Sequence, residues 1–353
     1  MSLSRLGFSL AKPFLHKLDA EQAHRLTIAG LKIGFAKPCR QQWPRLETKL
    51  FGLSFPNPLG LAPGFDKNAE VPDAMLALGF GYVEIGSVTP KPQAGNIKPR
   101  LFRLLEDEAV INRMGFNNDG HASVRNRLEA RRHSGGVIGI NIAANKDSSD
   151  RIEDYVKGIS EFGELASYIT LNISSPNTPG LRNLQGRADL QRLLDRLNTQ
   201  RKSSLPMLLK IAPDLSADEM QDIALVCQDG VVDGVIISNT TLSRPALKSR
   251  HATETGGLSG KPLHHLSTAQ LSLFYRLSKG RIPLIGVGGI HNAETAWAKI
   301  TAGASLIQLY SALVFKGPAL ISEICHGLDV KLQERGLTNI AEAIGIQNGE
   351  ADK

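Results

Sequence analysis

Cysteine is scarce in this chain: Cys39, Cys227 and Cys325 are the only three in 353 residues, far apart and odd in number. With no CxxC spacing, neither a zinc ribbon nor a disulfide framework is supported, and a reducing compartment is the plain reading. No apolar run approaches the roughly 20 residues of a membrane-spanning helix. Lys12, Pro13, His16 and Lys17 interrupt the N-terminal apolar residues, so a signal peptide is not expected either. Aromatic residues make up only 5% of the chain, and no Lys/Arg block is interleaved with them. That argues against a nucleic-acid partner, although the net charge of +7 favours anionic ligands of some kind. The nine histidines are scattered without metal-ligand spacing, so no metal is expected. Two nucleotide motifs fail as well. GVGGI has His291 where the last glycine of GxGxxG would stand, and GGLSGKP (256–262) has the wrong glycine spacing for a P-loop. No GxSxG surrounds Ser175, which disfavours a hydrolase.

What is abundant is glycine, 34 residues, and a repeating pattern. Eight short apolar segments each run into a loop rich in Gly, Asn, Ser or Lys: 58–62, 82–86, 137–142, 168–173, 206–211, 234–238, 283–288 and 305–309. Most lack alternation, as strands buried on both faces do. Helix-like stretches at 70–78, 121–132, 151–166, 186–201, 216–228, 265–279 and 292–302 separate them. Strand and helix alternating eight times predict a closed (β/α)8 TIM barrel. Two connections are long. Residues 88–120 are expected to hold extra strands over the barrel mouth, and 239–262 a lid or ligand clamp. The last ten or so residues read as frayed.

Residues 1–40 read as a small N-terminal two-helix domain, with 41–47 as linker and 41–353 as the barrel domain. Leu6, Leu10, Phe14, Leu15 and Leu18 recur at helical spacing beside Arg5, Lys12 and Lys17. Asp19-Ala20-Glu21-Gln22 reads as the start of a second helix, whose stripe is Ala23, Leu26, Leu31 and Ile33 and which Pro38 ends. Two such helices either dock on the body of the protein or lie in a membrane interface.

Chemistry in this barrel sits at the carboxyl ends of the strands. There the sequence delivers APGFDK (62–67), Gly86-Ser87, Asn141, Asn172 with SSPN (174–177), Lys210, Ser238-Asn239-Thr240, GVGG (286–289) and Tyr310-Ser311. Each alone is an ordinary turn former, but eight in register on one rim point to a ligand site. The strand-seven and strand-eight loops are the phosphate candidate, because glycine leaves backbone N–H groups approachable by an anion. Lys67 and Lys210 are either structural ion pairs or stabilisers of an anion. Ser175 is either a turn residue or a proton acceptor that needs a relay. GGLSGKP is either a simple turn or a loop over a ligand.

The segments GFDKNAE, EIGSVTPKPQAGN, INRMGFNN, NISSPNTPGL, KIAPDLS, SNTTLSR, TGGLSGKPL, IGVGGI and LIQLYSALVFKGP, in that order over roughly residues 45–320, resemble the dihydroorotate dehydrogenase family. The resemblance implies oxidation of (S)-dihydroorotate to orotate in de novo pyrimidine (UMP) synthesis, with FMN as hydride acceptor. It implies Ser175 as the base at C5 and Lys67 as its catalytic and substrate-binding partner. The orotate-binding set it implies is Lys67, Asn112, Arg113, Met114, Gly115, Phe116, Asn172, Asn177, Asn239 and Thr240. The FMN set is Ala62, Pro63, Gly64, Phe65, Asp66, Lys67, Ser87, Asn141, Asn172, Lys210, Ser238, Gly260, Gly289, Tyr310 and Ser311. Soluble members use Cys where Ser175 stands. Its absence, with the N-terminal helices, is similar to the membrane-associated, quinone-dependent class. On that resemblance the helices face a membrane surface and enclose a quinone tunnel lined by His24, Arg103 and Tyr310. The lack of a transit peptide and of a span favours a peripheral protein on the cytoplasmic side of the cell inner membrane, with the mitochondrial inner membrane as the alternative; the oligomeric state stays open, with a monomer favoured. Two departures are small: Ser87 stands where some members have Thr, and Pro63 where Ala is frequent. A related FMN barrel with a soluble acceptor or another pyrimidine, and a flavin-binding barrel without chemistry, are the competing readings.

Overall fold

The computed structural model describes residues 3–34, 38–200, 204–228 and 230–350, with the side chains of 3–6 and 350 outside the description. The parts expected of Arg5 and Leu6 therefore lie outside the described side chains. A hairpin of β1 (Thr48–Leu50) and β2 (Leu53–Phe55) opens the body. Eight parallel strands follow: β3 (Leu59–Leu61), β4 (Tyr82–Val88), β7 (Val137–Ile142), β8 (Tyr168–Asn172), β9 (Met207–Ile211), β10 (Gly234–Ile237), β12 (Leu284–Val287) and β13 (Ala304–Leu309). They close in the order β10-β12-β13-β3-β4-β7-β8-β9. Between them run β5 (Leu101–Leu104), β6 (Ala109–Asn112) and β11 (Gly257–Gly260), which form a separate antiparallel sheet with β6 in the middle.

The barrel strands are buried along almost their whole length, which is why they read as continuous apolar runs rather than alternating ones. Two clusters result. One fills the space between strands and outer helices, and the other fills the barrel itself with Tyr82, Tyr168, Leu208, Ile236, Ile285 and Leu306. Phe55 of the hairpin meets Tyr82 edge-on, with centroids 5.3 Å apart, so the hairpin floors the barrel at the amino ends of its strands. The opposite, carboxyl end is thereby left as the open one.

Helices α1 (Leu3–Lys17) and α2 (Ala20–Lys32) cover that open end. Asp19 caps α2 as its sequence indicates, its carboxylate accepting from the N–H groups of Glu21 and Gln22. A buried ion pair ties α2 to the loop before β5: Arg100 donates to both Glu21 oxygens at 2.9 and 3.0 Å. Arg103 donates to the carbonyls of Leu15 and Leu18, and His16 Nε2 lies 3.0 Å from Val314 O.

Four expectations need correction. Residues 41–47 are no free linker, since Trp43 and Leu46 are buried in the main core beside a 3-10 turn at Pro44–Leu46. The 239–262 connection is only partly lid-like, because its end is β11, hydrogen-bonded along β6. For the same reason GGLSGKP is neither a turn nor a loop but a strand leading into a 3-10 turn. The chain end is not frayed as far as residue 350: Ile340 and Ala343 are buried, and Asn348 donates to Ala302 O. Helix Ala319–Glu334, which the sequence reading passed over, packs on the barrel with Leu320, Ile321, Ile324 and Leu328 inward.

Candidate active site

A cavity of 380 Å³ lies at the carboxyl ends of the strands, under α1 and α2. Its walls differ by origin. The barrel rim contributes polar groups: Lys67, Ser87, Asn172, Ser175, Asn177, Lys210, Ser238, Asn239 and Thr240, with Asn112 from β6. The helices and the 309–318 segment contribute an apolar wall that includes Phe8, Leu15, Ala23, Leu31, Leu313 and Val314. His24, Arg103 and Tyr310 line the cavity as well. Ala62, Pro63, Gly64, Phe65, Met114, Gly115, Phe116, Gly260, Gly289 and Ser311 complete the expected residues that reach it.

Three expected residues do not line the cavity. Asp66 turns its carboxylate onto the backbone N–H groups of Asn68, Glu70 and Val71, so it shapes the strand-one loop from behind. Asn141 is fully buried beneath the rim, donating to Glu84 Oε1 at 2.8 Å and accepting from Ser87 Oγ and Asn172 Nδ2. Arg113 points outward, paired with Glu254 at 2.7 Å and stacked 4.5 Å over the Phe102 ring.

The polar wall is a connected network, which fixes the orientation of each amide. Asn172 Nδ2 donates to Ser87 Oγ, while its Oδ1 accepts from Asn239 Nδ2 at 3.2 Å. Asn177 Nδ2 donates to Asn112 Oδ1 at 3.3 Å. Ser175 Oγ accepts only the N–H of Asn177, and no carboxylate or imidazole bonds to it among the described residues.

Lys210 is buried and Lys67 half-buried at the cavity wall. Burial lowers the Lys67 ammonium to about 8, partly offset by the Glu21 charge. Its Nζ donates to Gly64 O at 2.7 Å. Burial lowers Lys210 too, opposed by the Glu84 charge, and the Lys210 ammonium makes no hydrogen bond or ion pair with any described residue. A buried ammonium without a partner is costly, so a site that keeps one is built for a negative ligand. His24 is pushed down to about 3, first by burial and then by the Lys67 charge, and so is neutral at ordinary pH.

With the geometry of this rim in view, similarity to known proteins identifies the family. The family model described as dihydroorotate dehydrogenase matches residues 45–332. A curated relative from Parvibaculum lavamentivorans, "Dihydroorotate dehydrogenase (quinone)", is 56% identical over 96% of this chain and 98% of its own. A relative of the same name from Novosphingobium aromaticivorans is 54% identical over 96% and 99%. The chain belongs to the dihydroorotate dehydrogenase family. The ligand-free DHODH structure from Eimeria tenella, 38% identical, superposes with a TM-score of 0.90 over 93% of this chain and 99% of that one.

Some residues of this cavity and of the layer beneath it escaped the sequence reading. Glu84 is wholly buried inside the barrel, accepting from Asn141 Nδ2, Tyr168 OH and, at 2.6 Å, Gln308 Nε2. A lone carboxylate within the apolar run Tyr82–Val88 was its available signal. Ser259, bonded to Ser311 at 2.8 Å, had none, because only the β11–β6 pairing brings it to the cavity. Among the described residues no cluster of His, Cys, Asp or Glu could hold a metal ion.

Proposed function

We propose that this chain oxidises (S)-dihydroorotate to orotate in de novo pyrimidine synthesis, with FMN as its hydride acceptor and a membrane quinone as the final electron acceptor. One observation carries the reading. Lys67, Ser175, Asn172, Asn177 and Asn239 share a single cavity with the unpartnered Lys210, the Gly288–Gly289 turn and an apolar wall from α1 and α2.

The residues fit a flavin nucleotide. Gly288 and Gly289 have φ of +107° and +73°, and a Cβ on Gly289 would lie 2.5 Å from the backbone of His264. The turn is therefore bare backbone at the cavity wall, suited to a phosphate. The Lys210 ammonium suits the electron-rich edge of a flavin ring. FMN, when bound, supplies the two-electron chemistry that side chains lack.

The chain's own groups do the rest. Lys67 offers its positive charge to the substrate carboxylate, and the amides of Asn112, Asn172, Asn177 and Asn239 present paired donors and acceptors to the ureide edge. Ser175 Oγ would take the proton from C5 while its own hydroxyl proton passes to water in the cavity, and the hydride from C6 would go to the flavin acceptor, leaving the C5–C6 double bond. Fixing both reacting carbons against rigid strand ends supplies much of the rate.

The apolar wall suits a quinone, with His24, Arg103 and Tyr310 at its polar margin. Leu10 and Phe14 on α1, Leu26 on α2 and Ile33 just after it are 75%, 62%, 49% and 76% exposed, with Lys12 and Lys17 also on α1. Such a face fits peripheral attachment of a monomer to the inner membrane on its cytoplasmic side. No helix among the described residues is long and apolar enough to cross a membrane.

The test is an anaerobic spectrum. Purified protein should be yellow, should bleach on adding dihydroorotate, and should regain colour with a quinone but not with fumarate or NAD. A flavin spectrum that dihydroorotate leaves unchanged refutes the reading.

A further inference from the structure

One charged side chain in the body of the protein has no use in the chemistry above. Lys299, on helix Ala293–Thr301 behind β12, is wholly buried. No carboxylate pairs with it among the described residues. Its Nζ donates to Ser267 Oγ at 2.6 Å. Ser267 in turn lies within hydrogen-bond reach of three carbonyls: Leu263 at 2.8 Å, Gly288 at 3.0 Å and His264 at 3.2 Å. The chain of contacts therefore runs from a buried ammonium, through one hydroxyl, to the Gly288–Gly289 turn and the first residues of helix His264–Leu277. Both lysine and turn are held tightly. A Cβ on Gly288 would lie 2.8 Å from Ser267 Oγ, and one on Gly286 would lie 3.2 Å from Lys299 Cβ.

Burying an unpaired ammonium costs several kcal/mol by the general rule for ions leaving water, and a methionine of similar volume would fill the same space without that cost. Burial alone holds this lysine well below its ordinary range, with no acid opposing it. The neighbouring His264 is lowered to about 4, by burial first and Lys299 next, so no second cation sits there at neutral pH. Leu263, Gly288 and Gly289 line the cavity, but Lys299 and Ser267 do not.

We infer that Lys299 is a positioning residue for the phosphate of the flavin nucleotide, holding the Gly288–Gly289 turn through Ser267 and supplying a buried positive charge behind it. The inference rests on the FMN reading above. The missing counter-charge of Lys299 is then the phosphate dianion itself, across the turn, and its charge is what holds the proton on the lysine when the flavin is bound.

The test compares FMN with riboflavin, which lacks the phosphate. Holoenzyme is diluted and ultrafiltered, free flavin is read by fluorescence, and the bound flavin is exchanged for excess riboflavin to obtain both dissociation constants. Losing one buried charge should cut the preference for FMN over riboflavin by about tenfold or more in Lys299→Met, while riboflavin affinity stays close to wild type. Equal weakening of both ligands, or an unchanged preference, would mean that Lys299 merely fills space, and would overturn the inference. Should Lys299→Met fail to fold, Ser267→Ala leaves the lysine in place but cuts the link to the turn. Its preference for FMN should fall in the same direction, and an unchanged ratio refutes the proposal. A wild-type protein that binds riboflavin as tightly as FMN would overturn the phosphate site and this inference together. A wild type that prefers FMN, with variants that prefer it equally, overturns the inference alone.

Discussion

Glu21→Gln tests how the helical cover is held on the barrel. Glu21 is 6% exposed and Arg100 4%, so the charges meet out of water. The Arg100 guanidinium holds the Glu21 carboxyl at about 2, down from 4.5. Converted at about 1.4 kcal/mol per tenfold, that depression amounts to about 3.5 kcal/mol at most. Removing one charge of a buried pair costs a similar amount, about 3 to 5 kcal/mol, because the other is left buried and unpaired. Among the described residues the other polar ties of α1 and α2 are weaker: the Arg103 and His16 contacts with backbone, half-exposed Lys32–Glu70 and Lys98–Glu21 pairs, and a 3.5 Å contact of Tyr310 OH with His24. The cost should therefore appear as local opening of the helices rather than as global unfolding. Opening of α2, read by native-state hydrogen exchange, should rise about 100-fold in Glu21→Gln. Quinone turnover should fall while flavin reduction by dihydroorotate stays near wild type. The pH dependence has a definite sign. A depressed carboxyl contributes fully above its unfolded value and loses that contribution as pH drops through the folded one. Wild-type α2 should thus loosen between pH 4.5 and about 2, and the variant, left with only the Asp19 cap and the Glu70 pair to titrate, should respond less in that window. Protection within twofold of wild type, or an equal acid response in both proteins, would refute the argument.

Ser175→Ala should slow single-turnover flavin reduction by about 10²- to 10⁴-fold while flavin stays bound. Unchanged stopped-flow bleaching would remove Ser175 from the proton transfer. With Lys67 lowered to about 8, the positive charge facing the substrate carboxylate is present below that pH and lost above it. The KM for dihydroorotate should therefore rise above pH 8, and a flat KM to pH 9.5 would contradict the assignment. Lys210→Met should make the flavin harder to reduce, by about 30 to 60 mV for a loss of about 1.4 to 2.8 kcal/mol. Spectroelectrochemical titration would show it, and a potential unchanged within error would leave Lys210 without the proposed role.

Much of the architecture follows from local chemistry. Strands buried on both faces must be continuous apolar runs, so segments such as Val137–Ile142 and Tyr168–Asn172 announce themselves, and the residues just beyond them mark the rim. The Asp19 cap is likewise a matter of four consecutive residues. What the chain order does not carry is which way a rim residue turns. Asp66 and Asn141 follow the strand pattern yet serve the loop and the layer beneath, because backbone N–H groups and Glu84 claim them first. Arg113 is drawn outward by Glu254 and Phe102, partners about 140 residues or ten residues away that only the closed fold brings alongside. Glu84 and Lys299 are the extreme cases: a charge in an apolar stretch reads as an exposed position until the barrel closes over it. Sequence periodicity determines which segments become walls, since burial acts on each residue along the strand. The tertiary structure alone decides which polar groups face the cavity, since that depends on contacts between segments far apart in the chain.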